Sequence, residues 1–437
     1  MEYIMKKLIS IFLLVVAFSC IYADESLNAE ESDPKKMGWM EGFPPPADKI
    51  LSATNGTFFD FPGLRYSVNH MREFLPTKRV LASKDDNYSV KTRLDPNIDQ
   101  LVFIPWNSDE LMTWEESLAA NYTDGIIIMH KGKIIYERYF GGLEPDGIHA
   151  AMSVSKSFAG TIASILIAEG KIDPNRLITD YIPELSESGF AGATVQEVLD
   201  MTTAIQYSED YNNPNAEIWG FAESGDVFRP ADYTGPKDYY EYLPTLKKIP
   251  NQEHGEEFGY RTVNTEVIGW LVSKVTNKSI ADLVSEKIWQ PMGAVYDGYY
   301  QVDPAGIAYA GGGFNLNLRD MAMFGELMRN EGKIGRRQII PQEAVKMIQE
   351  GGDPEVFAKG GEYPLLDGWS YKNMWWITNN DNGAYMARGV HGQAIYIDPE
   401  AEMVIARFAS SYLASNKYID PTSIPAYEAV AEYLMNK

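Results

Sequence analysis

Two apolar, β-branched runs flank His130-Lys-Gly-Lys133 in "DGIIIMHKGKIIYERYF" (124–140). Strand-forming residues on either side of a Gly-containing turn predict a β-hairpin. The period then changes. In "SFAGTIASILIAEGKI" (157–172), Phe158, Ile162, Ile165 and Leu166 recur at helical spacing, and Gly170 marks the stop. Ser153 therefore stands at the first turn of a buried helix. Further helices are expected at "TVQEVLDMTT", "YEYLPTLKKI", "TEVIGWLVSKVT" and "SIADLVSEKIW". Beyond residue 300 a Gly-rich entry leads into a helix in "AGGGFNLNLRDMAMFGELMRN". "RGVHGQAIYIDPEAEMVIARFAS" alternates as two strands about an Asp-Pro-Glu turn, and "IPAYEAVAEYLM" closes as an amphipathic helix. Strands at both ends with helices between them predict an α+β fold. Its antiparallel sheet is built from N- and C-terminal segments and backed by helices, with a mainly helical lobe inserted at about 160–300. A cleft between the lobes is the expected place for a site.

Upstream of residue 111, where this domain is expected to begin and run to 437, the pattern breaks down. Residues 37–110 are rich in Pro, Gly and aromatics without a sustained period and predict an irregular extension wrapped on the main body. Residues 24–36, "DESLNAEESDPKK", are acidic and lack aromatics, which predicts a disordered linker. At the start, Lys6-Lys7 precedes an apolar run from Leu8 to Phe18, as in a secretory signal peptide (1–23) cleaved after Ala23. Lipid attachment at Cys20, the single cysteine, is the alternative. Either way the mature chain is expected to be periplasmic or secreted, without disulfide, thiol nucleophile or transmembrane anchor.

With 45% hydrophobic and 12% aromatic residues, the 437-residue chain can build a large core. Its 61 acidic against 38 basic residues give a formal charge of −23, which opposes binding to nucleic acid or anionic lipid.

The candidate chemistry lies in "MSVSKSF" (152–158), where Lys156 follows Ser153 by three positions. Residues three apart share a helix face, so the two side chains can touch. A serine hydroxyl is a weak nucleophile until a base takes its proton, and a lysine serves as that base only when burial lowers its pKa. Met152, Val154 and Phe158 supply a dry setting, and a helix N-terminus offers N–H groups to a developing oxyanion. A solvated Lys156 beside an N-capping Ser153 fits the same seven residues. The other Ser-x-x-Lys pair, Ser32 to Lys35, falls in the acidic linker and is read as meaningless. Tyr260, in a Gly-flanked turn before "TEVIGW", could relay protons, although most of the 27 tyrosines need only pack. No Gly-x-Ser-x-Gly and no His-Glu-x-x-His occurs, and the five histidines are scattered, so neither metal nor cofactor is expected.

Taken in order, Ser153-Val-Ser-Lys156, Phe258-Gly-Tyr260 before "NTEVIGW", "AGGGFNLNLRD" and "GVHGQAIYIDPE" resemble the serine β-lactamase superfamily over roughly residues 110–435. Within it they are most similar to the class C β-lactamase-like serine hydrolases related to 6-aminohexanoate-dimer hydrolase. The resemblance implies the β-lactamase/transpeptidase-like fold and an acyl-enzyme mechanism. It makes Ser153 the nucleophile, Lys156 its activating partner and Tyr260 the proton relay. Two motifs depart from the usual pattern: Tyr260-Arg-Thr262 replaces Tyr-x-Asn, and Ala387-Arg388-Gly389 stands where Lys or His, Thr or Ser, and Gly are common. Aligning Gly389 with the motif's glycine makes the Ser153 and Val390 N–H groups the oxyanion donors, with a shift onto Gly392 or Gln393 as the alternative. His391 belongs to the same motif, with a structural role against the neighbouring strand equally open. Arg388 is expected to face away from the cleft. Tyr211, in "YSEDYNNPN", is placed by the resemblance facing substrate, and Trp375 and Trp376 are candidate pocket walls. The expected activity is hydrolysis of a small linear amide or ester. A true β-lactamase, or a penicillin-binding sensor without turnover on the same fold, is the alternative.

Overall fold

The computed structural model describes residues 27–84, 87–106 and 108–437. The expected signal segment and Cys20 lie outside the described residues. The predicted hairpin forms, with β2 (Thr123–His130) antiparallel to β3 (Lys133–Tyr139). Five C-terminal strands complete the sheet: β4 (Ser370–Lys372), β5 (Trp375–Ile377), β6 (Tyr385–Gly389), β7 (Gln393–Asp398) and β8 (Met403–Ala409). The short β1 (Lys91–Thr92) joins the outer edge of β3 in parallel. The order is β4-β5-β6-β7-β8-β2-β3-β1, so the two ends of the chain meet at the β8–β2 pairing, as the strand-helix-strand pattern requires.

Four helices position the site. The first, α1 (Val154–Ala168), is buried from Val154 through Leu166, which suits its apolar run. Phe158 stacks on Phe324 of α3 (Leu318–Arg329) with ring centroids 4.0 Å apart. At Gly160 a Cβ would lie 2.0 Å from Asn373 O, so only glycine lets α1 pack this closely on the β4–β5 turn. The second helix, α2 (Thr262–Thr276), lies against α1 in the helical lobe, and α4 (Asp420–Met435) closes the chain. Other predicted lobe helices are shorter than their sequence spans. "YEYLPTLKKI" is helical only over Tyr239–Tyr242 before a 3₁₀ turn containing Pro244, and "TVQEVLDMTT" only over Val195–Leu199.

Two N-terminal features differ from expectation. Residues 27–36 are packed, because Tyr122 donates to Leu27 O at 2.9 Å and the buried Arg65 guanidinium donates to Ala29 O and to Ser32 Oγ. Asp33 caps a helical turn at Pro34–Met37. This acidic stretch thus acquires its order from a cation elsewhere in the chain. The extension also contributes Thr77–Val80 to a second sheet, of four strands, beside Gly298–Gln301. Among the described residues no helix is long and apolar enough to cross a membrane.

Candidate active site

Ser153 occupies the N-terminal boundary of α1, just after Met152, whose φ of +48° turns the chain sharply into the helix. A non-glycine residue in this left-handed region is strained. It is held there by Ala151 N–H bonding Phe314 O and Ala150 N–H bonding Val68 O. One turn on, Lys156 is 1% exposed and donates to Ser153 Oγ at 2.9 Å and to Gly311 O at 2.8 Å. Burial lowers the Lys156 pKa to about 8, against the opposing pull of Glu209 and Glu266. The lysine is therefore neither solvated nor ion-paired, and a substantial fraction is neutral near physiological pH.

Tyr260 lines the cleft beside Ser153, and its ring centroid lies 5.0 Å from Lys156 Nζ. Burial, reinforced by Glu209, pushes the Tyr260 pKa well up, so the phenol holds its proton. Two carboxylates fix this segment: Glu362 accepts from Tyr260 N–H at 3.1 Å and Glu209 accepts from Thr262 N–H. Ser153 and Lys156 are thus joined by a hydrogen bond, and Tyr260, more than a hundred residues further along the chain, is brought beside them.

β6 supplies the opposite wall. At Gly389 a Cβ would lie 2.7 Å from Ala151 O and 3.0 Å from Ser153 N, so the strand reaches the serine only because this residue is glycine. Val390 follows at the rim. Among the described residues neither Ser153 N–H nor Val390 N–H has a protein acceptor, whereas His391 N–H is taken by Ala414 O. Two free donors beside one hydroxyl are the arrangement an oxyanion needs. At the alternative position Gln393, the residue stands opposite Gly389 in the β6–β7 pairing, and its side-chain amide donates to Val390 O and Ala409 O. His391 has a φ of +63°, and its Nδ1 donates to Ser411 O at 2.7 Å. Burial lowers its pKa to about 4, so the ring is neutral. It lines the cleft from a fixed position.

The cleft has a volume of about 750 Å³ and brings together Ser153, Tyr211, Tyr260, Trp376, Val390 and His391. Trp375 is not among its walls. Strand alternation turns it to the opposite face, where it is fully buried and donates to Thr161 Oγ1 of α1 at 3.2 Å. Alternation also reverses the expectation for Arg388. Trp376 pairs with Met386 across β5 and β6, so Arg388, two residues on, shares its face. The guanidinium lies 4.4 Å from the Trp376 ring and donates to both Asp420 carboxylate oxygens at 2.6 Å.

Sequence reasoning missed Glu266. On α2, it accepts from Gly311 N–H at 2.6 Å and Ala310 N–H at 3.2 Å, anchoring the chain on the N-terminal side of the Gly311 carbonyl that receives Lys156. Burial raises its pKa to about 8. A lone acid inside the apolar helix "TEVIGWLV" was the available signal.

The beta-lactamase family model matches residues 116–420, and the chain belongs to that family. It is 32% identical over 359 residues to 6-aminohexanoate-dimer hydrolase of Paenarthrobacter ureafaciens, covering 80% of this chain and 86% of that protein. The structure of a putative 6-aminohexanoate-dimer hydrolase from Bacillus anthracis superposes with a TM-score of 0.80 at 32% identity, over 90% of this chain and 99% of that one. An octameric penicillin-binding protein homologue from Pyrococcus abyssi shares the fold, with a TM-score of 0.55 at 19% identity over 73% of this chain and 75% of that one. The fold is β-lactamase/transpeptidase-like, and the chain is a hydrolase of this family.

Proposed function

We propose that the protein is an exported serine hydrolase that cleaves a linear amide or ester through an acyl-enzyme on Ser153. The observation that carries the mechanism is the 2.9 Å hydrogen bond from a buried, carboxylate-free Lys156 to Ser153 Oγ, with the Tyr260 ring 5.0 Å from the same ammonium. Lys156 takes the Ser153 proton as Oγ attacks the carbonyl carbon, and the Ser153 and Val390 N–H groups receive the oxyanion. Tyr260 passes a proton to the departing nitrogen or oxygen as the carbonyl carbon–leaving group bond breaks. Water then attacks the ester by the reverse proton path and releases the acid. Export rests on Lys6-Lys7 and the apolar run after them.

A linear substrate fits better than a β-lactam. The third motif begins with Ala387, which is fully buried, and its one cation, Arg388, is occupied by Asp420. Asp60, Glu209, Asp210 and Glu362 line the cleft and disfavour a drug of net negative charge more than a linear substrate that carries an ammonium or no charge. The relatives named as acting on the 6-aminohexanoate dimer point the same way. The test is intact-mass labelling with a fluorophosphonate on wild type and Ser153→Ala, followed by kcat/KM for the linear 6-aminohexanoate dimer, p-nitrophenyl butyrate and nitrocefin. One adduct, lost in Ser153→Ala, and slow nitrocefin turnover are expected. Labelling at Ser155 or Ser157, or nitrocefin as the best substrate, overturns the reading.

A further inference from the structure

Ser153 borders a second cavity besides the polar cleft. It is a chamber of about 100 Å³ with almost entirely apolar walls, which include Ser153 and Val390 but neither Tyr260 nor Trp376. One wall comes from the extension, through Phe58, Phe59, Met71 and Leu75, all upstream of the residues matched by the family model. A second comes from Ala222, Val227 and Phe228 of the helical lobe. Phe228 has a φ of +58°, a conformation costly for a bulky side chain, and its ring lies 5.8 Å from Phe58 and 6.0 Å from both Phe59 and Trp219. The backbone is strained to place an aromatic ring on this wall. Met152, also strained, forms part of the wall beside the serine.

We infer that this chamber receives the acyl half of the substrate, a short unbranched hydrocarbon acyl group, while the leaving group lies in the acidic cleft. The inference rests on the proposed acyl-enzyme at Ser153 and assigns the two sides of the broken bond. The donor of the leaving group's proton, Tyr260, faces the cleft, so the leaving group departs there. The carbonyl oxygen points at the Ser153 and Val390 N–H groups, and the remaining substituent of the carbonyl carbon enters the chamber those residues border. At about 30 Å³ per water-sized group, the chamber holds roughly three such groups. That corresponds to an acyl chain of about four or five carbons. Each methylene buried should raise kcat/KM roughly four-fold until the chamber is full.

The experiment is a chain-length series of p-nitrophenyl esters from acetate to decanoate on wild type, Ala222→Leu and Leu75→Ala. For wild type a rise of about fifteen-fold from acetate to butyrate is expected, with a fall by octanoate. Ala222→Leu, which fills the chamber, should abolish that rise. Leu75→Ala should move the optimum to longer chains. A flat wild-type series, or a profile identical in Ala222→Leu, overturns the assignment. Should no ester be turned over, the acyl-enzyme reading fails, and the chamber is read by ligand-observed NMR with butanamide and hexanamide on Ser153→Ala. Binding lost on adding Ala222→Leu supports the chamber, and equal binding overturns it.

Discussion

Arg65 and Lys156 are both buried cations, 2% and 1% exposed, and their surroundings treat them in opposite ways. Arg65 donates to Ser410 Oγ and to Asp124 at 3.1 Å in each case, and also to Ala29 O and Ser32 Oγ. Asp124 in turn accepts from His149, and despite burial these partners hold its carboxyl below the ordinary range. Lys156 has one hydroxyl and one carbonyl, and its carboxylate neighbour Glu266 stands behind a peptide group. The guanidinium, charged in any setting, ties segments together through its partners, whereas a buried lysine without a carboxylate in contact is poised to lose its proton.

The sharpest test of that contrast is removal of each charge. Lys156→Met should cut turnover by about 10²–10⁴-fold, the usual contribution of a general base. Its stability to urea should stay within about 1 kcal/mol of wild type or rise, because a buried charge with no ionic partner is also removed. Asp124→Ala should do the reverse. Leaving Arg65 buried and unpaired should cost about 3–5 kcal/mol of stability. Comparable destabilisation in the two variants would erase the distinction.

pH separates the pair next. Below about 8 the neutral fraction of Lys156 falls tenfold per unit, so kcat/KM should rise with unit slope up to about pH 8 and then level. The sign for stability follows from the same shift. Lys156 titrates lower in the folded protein than its ordinary 10.5, so between about 8 and 10.5 the unfolded chain binds more protons and this group's contribution to stability grows with pH. Asp124, shifted down, contributes stability that is present above its ordinary 3.8 and is lost as pH falls below it. Urea titrations of wild type and Lys156→Met from pH 6 to 10 should diverge only in the alkaline window.

The smallest expected effect is from Glu266→Gln. Glu266 is mostly charged only above about pH 8, where it favours protonated Lys156, so removing it should move the midpoint of the pH–rate profile, itself near 8, down by less than about one unit. An unchanged midpoint would mean that Glu266 acts only by holding the 310–311 peptide.

Much of this arrangement was legible in one dimension. The hairpin and α1 announced themselves because long periodic runs leave few alternatives, and Ser153 with Lys156 required only helical spacing. What stayed hidden depended on partners distant in the chain. The faces of Trp375, Trp376 and Arg388 follow from the β5–β6 register, which alternation within one strand cannot supply. The second sheet is made of strands two to four residues long, too short to carry a period. Residues 27–36 read as disordered because their composition gives them no core of their own, and the cation that orders them lies at position 65.

Gly389 sets different rules for the two sides of the pocket over evolutionary time. Any side chain there would drive β6 away from Ser153 N and Ala151 O, so neutral drift has no route through that position. Chamber residues such as Leu75 and Ala222 touch neither the serine's proton path nor its N–H donors, and they are free to vary one at a time. A lineage carrying this fold would therefore diversify in what it cleaves long before it could change how it cleaves, and its substrate history would be written in the extension and the helical lobe.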